Sequence, residues 1–300
     1  MLDSQKSVDE ALNFRQLKSA ERKDSLILLA LTMPAIVTVL VVIVIPVGWL
    51  FSLSFLDSSG QLSLVNYQKM FEYKSYIRVF KMTFNVSFLT TFLCIIIGYP
   101  LAYFLSQIPR KYVGFFMLTV LLPFWTSLLV RTYAWLVMLQ RNGLINDFAI
   151  NLGIWEEPVK LAHNLNGTLI GMVHIMLPFL VLPLYAAMRR IDRYTLQAAA
   201  NLGATPVQAF WQIFVPLSLP GVVAGGLIVF VLCLGFYVTP AVLGGGKVIL
   251  VSMQITAILE DQFNWGAASA LGVVLLIATF AVLMVALRFL KLDSVIFGRQ

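Results

Sequence analysis

The residues of this sequence best suited to chemistry are few and far apart. There are two histidines, His163 and His174, and two cysteines, Cys94 and Cys233. An enzyme site needs His, Asp, Ser or Cys gathered as nucleophile, base and orienting group, and no such cluster can be read here. His163 lies in a polar loop. His174 stands alone in an apolar run, where a hydrogen-bonded packing ring outweighs a gate. Both cysteines lie within apolar runs, so neither a disulfide framework nor a metal site follows from them. The stretch LGGGKV, 243–248, invites a phosphate-loop reading, but Ala241 occupies the first glycine's place and Val248 follows the lysine. Its glycines read instead as a turn or a re-entrant loop.

Three further sets remain. Arg131, in SLLVRTYAW, is an ionisable group inside an apolar run, and such groups are costly and default to a functional reading. Its plain alternative is a snorkelling or structural role near one membrane face. Glu260 and Asp261, beside Trp265, could attract a cation or meet a partner, with simple solvation an equal reading. Trp125, Tyr133, Phe236 and Tyr237 could offer cation–π faces to an amine, although aromatic residues in spans more often pack or form interfacial belts.

The elements that must position these residues are membrane helices. The chain has 300 residues, of which 60% are hydrophobic and 12% charged, and its mean hydropathy is +0.88. A soluble domain is about 25% charged. Six apolar runs reach the roughly 20 residues that a bilayer crossing requires, at about 26–55, 82–106, 113–138, 167–188, 218–240 and 266–289. Pro34, Pro46, Pro100, Pro123, Pro178 and Pro183 fall in or beside these runs and read as bends. Thirteen of the 21 Lys and Arg fall on the side that holds both termini, the 107–112 turn and the 189–217 loop. The positive-inside bias then makes both termini cytoplasmic. It also gives the net charge of +7 a topological reading, with no nucleic-acid partner implied. The division expected is a cytoplasmic extension at 1–24, a membrane domain at 25–290 and a cytoplasmic tail at 291–300.

One stretch breaks the pattern. LQAAANLGATPVQAFWQIFVPLSLPG, 196–221, is small, polar and glycine-interrupted between two apolar runs. Asp192 or Thr195 caps a short helix that Gly203 ends. Thr205, Pro206 and Gln208 then start a second helix as a capping box with proline at its first position. That helix is expected to stop at Val215-Pro216. The product is a compact hairpin over about 192–217, without catalytic groups, whose alanines permit close approach by a partner.

This hairpin resembles the EAA loop of the permeases of ATP-binding-cassette importers. Gln197-Ala198-Ala199, Gly203, Ile213 and Val215-Pro216 stand at that signature's spacing, with Gln197 in place of its Glu and Val215 in place of its Leu. The exchange at Gln197 removes a charge that could pair with a basic group. LPFWTSLLVRTYAW (122–135), NGLIND (142–147), MLPFLVLPLY (176–185) and FYVTPAVLGGGK (236–247) resemble the spermidine/putrescine permeases, and in particular the first of that system's two.

The resemblance implies an all-α, six-span permease of the type I (MetI-like) importer fold in a bacterial inner membrane. It implies a heterodimer with a second permease, an ATPase dimer that holds the ATP and Mg, an extracytoplasmic solute-binding protein, and no cofactor or metal in this chain. Gln197, Ala198, Ala199, Gly203, Ala204, Ile213 and Pro216 would then couple to the ATPase. Trp125, Tyr133, Phe236, Tyr237, Glu260 and Asp261 are the candidates for the substrate pathway. An arginine in the path would repel a polyamine, so Arg131 takes the structural role. The same permease role for an opine or another small solute stays open. An ion-coupled transporter is disfavoured, because no carboxylate falls in mid-span.

Overall fold

Apolar runs of this length satisfy their backbone internally only as helices, and the computed structural model, which describes residues 30–57 and 60–296, is helical throughout its ordered elements. In chain order these are α1 (Ala30–Leu53), α2 (Val65–Glu72), α3 (Lys74–Gln107), α4 (Arg110–Trp125), α5 (Leu128–Met138), α6 (Leu144–Asn151) and α7 (Leu165–Arg189). They continue with α8 (Arg193–Asn201), α9 (Pro206–Leu234), α10 (Val238–Leu243), α11 (Val251–Asp261) and α12 (Trp265–Ile296). Among the described residues five of these, α1, α3, α7, α9 and α12, are each long and apolar enough to cross a membrane.

The third expected run, at 113–138, in which Pro123 reads as a bend, is not one continuous helix, and it makes a sixth candidate crossing only when its two parts are taken together. It is a pair, α4 and α5, bent by 94°. Pro123 opens a tight last turn in α4, Thr126 and Ser127 are extended, and the Thr126 hydroxyl donates back to the Pro123 carbonyl at 2.7 Å. Continuous hydropathy carries no record of such a change of direction.

Two other boundaries are corrected. The second hairpin helix does not stop at Val215-Pro216. It runs on into the fifth crossing through a wide π turn at Phe210–Phe214, where the Val215 N–H reaches the Phe210 carbonyl. Proline lacks the N–H that a regular helix requires, and the wide turn shifts the hydrogen-bond register just ahead of it. The same arrangement precedes Pro46, after a wide turn at Leu40–Val44. The fifth crossing ends at Leu234 rather than near 240, and the expected loop at 241–265 contains α11. At the C-terminal end α12 runs through to Ile296. The 1–24 extension and residues 297–300 lie outside the described residues.

The centre of the bundle is α3, α7 and α9, sealed by Val86, Cys94, Met172, Met176, Leu180 and Val229. Small residues allow close approach: a Cβ on Gly225 would lie 3.0 Å from the Leu180 carbonyl oxygen, and one on Gly221 2.5 Å from the Ala187 Cβ. Close backbone contact of this kind is how membrane helices associate without a hydrophobic drive between them. A second cluster, with Met70, Val79, Ile258 and Leu271, joins α2, α3, α11 and α12 at the end away from the hairpin. By contrast, α1 is exposed from Ala30 to Leu50.

Candidate functional site

The hairpin forms by the local rules its residues suggest. Asp192 caps α8 by accepting the Tyr194 N–H at 2.9 Å. Gly203 follows the helix with φ +90°, where nothing would meet an added Cβ within 4 Å. The Ala204 N–H returns to the Ala199 carbonyl and closes the helix end. Thr205 and Gln208 then form the reciprocal capping box, at 2.9 and 3.3 Å, with Pro206 at the first helical positions.

Of the residues expected to couple to an ATPase, Gln197, Ala198 and Gly203 are exposed, Ala204, Ile213 and Pro216 are half-buried, and Ala199 is buried against the fold. Around them the hairpin presents apolar side chains outward: Leu202 is 89% exposed, Tyr194 76%, Val207 66% and Trp211 64%. On its inner side Phe214 is buried with Ala102, Leu105, Val181, Leu184 and Met188. Arg189 fastens the base by donating to the Ser106 carbonyl at 3.1 Å. The hairpin is thus rooted in α3 and α7 while its outer face stays open.

At the opposite end the candidates for a pathway lie on separate elements. Tyr133 is on α5 and Tyr237 just ahead of α10, and those helices are joined by the Thr132 and Thr239 hydroxyls at 3.2 Å. Trp125, 84% exposed, stands at the α4–α5 bend. Phe236 packs against the central cluster, and its carbonyl accepts the Ser252 hydroxyl at 2.7 Å. Glu260 and Asp261 are exposed in the last turn of α11. Carboxylates there face the negative end of the helix dipole, an unfavourable placement. Among the described residues no ring contact unites the four aromatic candidates.

Arg131 is half-buried, and its Nε is buried with no hydrogen-bond partner among the described residues. His174 accepts the Trp135 indole N–H at 3.1 Å, the packing role expected of it. The glycine run is a turn: Gly245 and Gly246 have φ +55° and +73°, and a Cβ on Gly245 would come within 2.5 Å of the His163 Cβ. Among the described residues no three of His, Cys, Asp and Glu gather as a metal site would require.

Tyr99 and Tyr103, which pack against the hairpin's Phe210, are missing from the expectations above. Their signal was present as YPLAY, two tyrosines one helical turn apart around Pro100.

No protein-family model matches the chain. It is similar to the spermidine/putrescine transport system permease protein PotB of Haemophilus influenzae, with 34% identity over 244 residues, 79% of this chain and 85% of that protein. The protein of the same name from Escherichia coli is 32% identical over 230 residues, 77% of this chain and 83% of that one. In fold it matches a chain of a bacterial alginate ABC transporter, solved in complex with an alginate pentasaccharide-bound periplasmic protein. That match has a TM-score of 0.73 at 18% identity and covers 89% of this chain and 94% of the other.

Proposed function

The chain belongs to the family of spermidine/putrescine transport permeases, and on that premise we propose that it forms half of the pore of an ATP-driven polyamine importer. Members of this family are transport subunits of multi-pass membrane assemblies and not enzymes. A second permease completes the pore, an ATPase dimer holding ATP and Mg docks below, and an extracytoplasmic binding protein delivers the solute. Both termini and the hairpin face the cytoplasm, with the 1–24 extension and the 291–300 tail on that side.

The observation that carries this reading is the hairpin, a preformed, doubly capped elbow with its apolar outer face uncovered and its base fixed in the bundle. Gln197, Ala198, Gly203 and Ala204 would meet the ATPase, and Ala199, Ile213 and Pro216 would hold the shape of the contact. Closure of the ATPase dimer would move the elbow and favour one of two packings of the bundle. At the other end Glu260 and Asp261 hold negative charge where a helix disfavours it, which suits attraction of a polycation. Trp125, Tyr133, Phe236 and Tyr237 supply ring faces for ammonium groups. Arg131 takes no part in cargo contact.

The test is uptake by proteoliposomes holding both permeases and the ATPase, with binding protein outside and ATP inside. Labelled spermidine or putrescine should accumulate only with ATP. Accumulation without the ATPase, driven by an ion gradient, would overturn the reading. Preference for an opine over both polyamines would overturn the substrate class alone.

A further inference from the structure

Two helices that meet at the base of the hairpin each contain a weak point. In α9 it is the wide turn Phe210–Phe214 ahead of Pro216, where regular hydrogen bonding is interrupted. In α3 it is Pro100, which removes a donor from the interior of a 34-residue helix. A stroke delivered to the hairpin would be absorbed by bending at either place unless something spans both.

Four aromatic side chains span both. The Phe210 ring meets Tyr99 on one side of Pro100, at 6.4 Å and 82°, and Tyr103 on the other, at 5.2 Å and 76°. The Tyr103 ring in turn meets both ends of the wide turn, Phe210 and Phe214, the latter at 5.0 Å and 82°. Phe210 and Phe214 stack on each other at 6.0 Å and 13°. Beyond Pro216 the Tyr99 hydroxyl is 2.9 Å from that of Ser218, which also bonds the Val215 carbonyl. All these ring separations lie within the favourable range for aromatic pairs. Each helix therefore braces the other across its proline.

The braced α3 also reaches the far end. At 1.5 Å per residue it is about 50 Å long, and its Thr83 hydroxyl accepts the buried Val251 N–H at 2.9 Å, at the start of α11. That short helix carries Glu260 and Asp261.

We propose that Tyr103, with Tyr99, Phe210 and Phe214, is a coupling clamp that makes α3 the member carrying the hairpin's movement to α11 at the outer mouth. The clamp rests on the ATP-driven reading above. Tyr103 is a positioning residue in it, acting through ring contact and touching neither ATP nor cargo.

The experiment compares Tyr103→Leu, Tyr103→Phe and Phe214→Leu in the complete importer, reconstituted with binding protein and spermidine. Three quantities are read: co-purification of the ATPase, ATP hydrolysis without substrate, and uptake per ATP. Tyr103→Leu should keep the ATPase bound and hydrolysing, while uptake per ATP falls about tenfold, within the usual range of coupling between sites. Tyr103→Phe should restore it, and Phe214→Leu added to Tyr103→Leu should cost less than the sum of the two, because both remove the Tyr103–Phe214 contact. Wild-type uptake per ATP in Tyr103→Leu, or additive losses in the double variant, would overturn the clamp. A wild-type complex showing no ATP-dependent uptake would instead overturn the reading on which it rests.

Discussion

Replacing Gly203 isolates one physical term at the elbow. Its φ of +90° lies in the region that residues with a Cβ avoid, and nothing lies within 4 Å of where that Cβ would be. A substitution there is therefore strained without being crowded. The left-handed conformation costs an L-residue roughly 1–2 kcal/mol. Alanine recovers about 0.4–1 kcal/mol of that by narrowing the unfolded ensemble. The net penalty for Gly203→Ala is about 1 kcal/mol, or about fivefold in an equilibrium.

The joint is exposed and short, so it is free to relax. On the proposed docking, strain relieved by reshaping the elbow would reappear when the ATPase required the original shape. In binding both states are folded, so the unfolded-chain gain drops out, and affinity of the proposed permease pair for its ATPase should weaken by about 5- to 30-fold in Gly203→Ala. Gly203→Asn should fall nearer wild type, since Asn visits this region more readily. Gly203→Pro, with φ held near −65°, should be worst. The order matters more than the size: Asn is larger than Ala yet should bind better. A titration in which affinity falls in order of side-chain volume, or does not fall at all, would refute the argument.

Three further outcomes follow from the geometry. Cys94 and Cys233 are buried, so a membrane-impermeant maleimide should find little in the wild type; Leu202→Cys, at an 89% exposed position, should label only in inside-out vesicles, and Phe263→Cys, at 78%, only in intact spheroplasts. Joint Glu260→Gln and Asp261→Asn should reduce uptake several-fold at low polyamine and low salt, with a smaller effect as salt screens the charges. Thermal stability should rise slightly, by about 0.3–1 kcal/mol per charge removed from the helix end. Gly225→Val should lower the melting temperature through an overpacking cost of about 1–3 kcal/mol, because its Cβ would press on the Leu180 carbonyl, while Ala224→Val on the exposed neighbouring position should leave it unchanged.

The elbow could be read from the sequence because near-neighbour chemistry makes it. Asp192, Gly203, Thr205, Pro206 and Gln208 each act within four residues, and each acts as its type suggests. The spans followed from length and hydropathy, which the bilayer imposes regardless of tertiary context. Pro123 read as a bend like five other prolines, but the 94° break between α4 and α5 did not follow, because an apolar run is equally apolar on either side of a corner. Nor does proline alone announce the corner: Pro100, Pro178 and Pro183 all sit inside continuous helices. What separates Pro123 is the extended Thr126-Ser127 pair after it, a polar interruption only two residues long. The α11 helix was lost for another reason, since its length of 11 residues falls below what a crossing needs. The clamp was out of reach because its partners lie about a hundred residues apart.

Pro46 and Pro216 show what decides whether a weak point in a helix has consequences. Each follows a five-residue wide turn by the same interval, so the two local structures are alike. Around the first, Leu40 to Val44 are all exposed within this chain, and no aromatic ring of another helix holds them among the described residues. Around the second, Phe210 and Phe214 are held by two tyrosines of another helix, and a bend there must move that helix or break the contacts. The same backbone irregularity is unbraced within this chain in α1 and braced by another helix in α9. The difference lies in the rings at 99, 103, 210 and 214, which is why a leucine at Tyr103 should uncouple transport without unmaking the helices it joins.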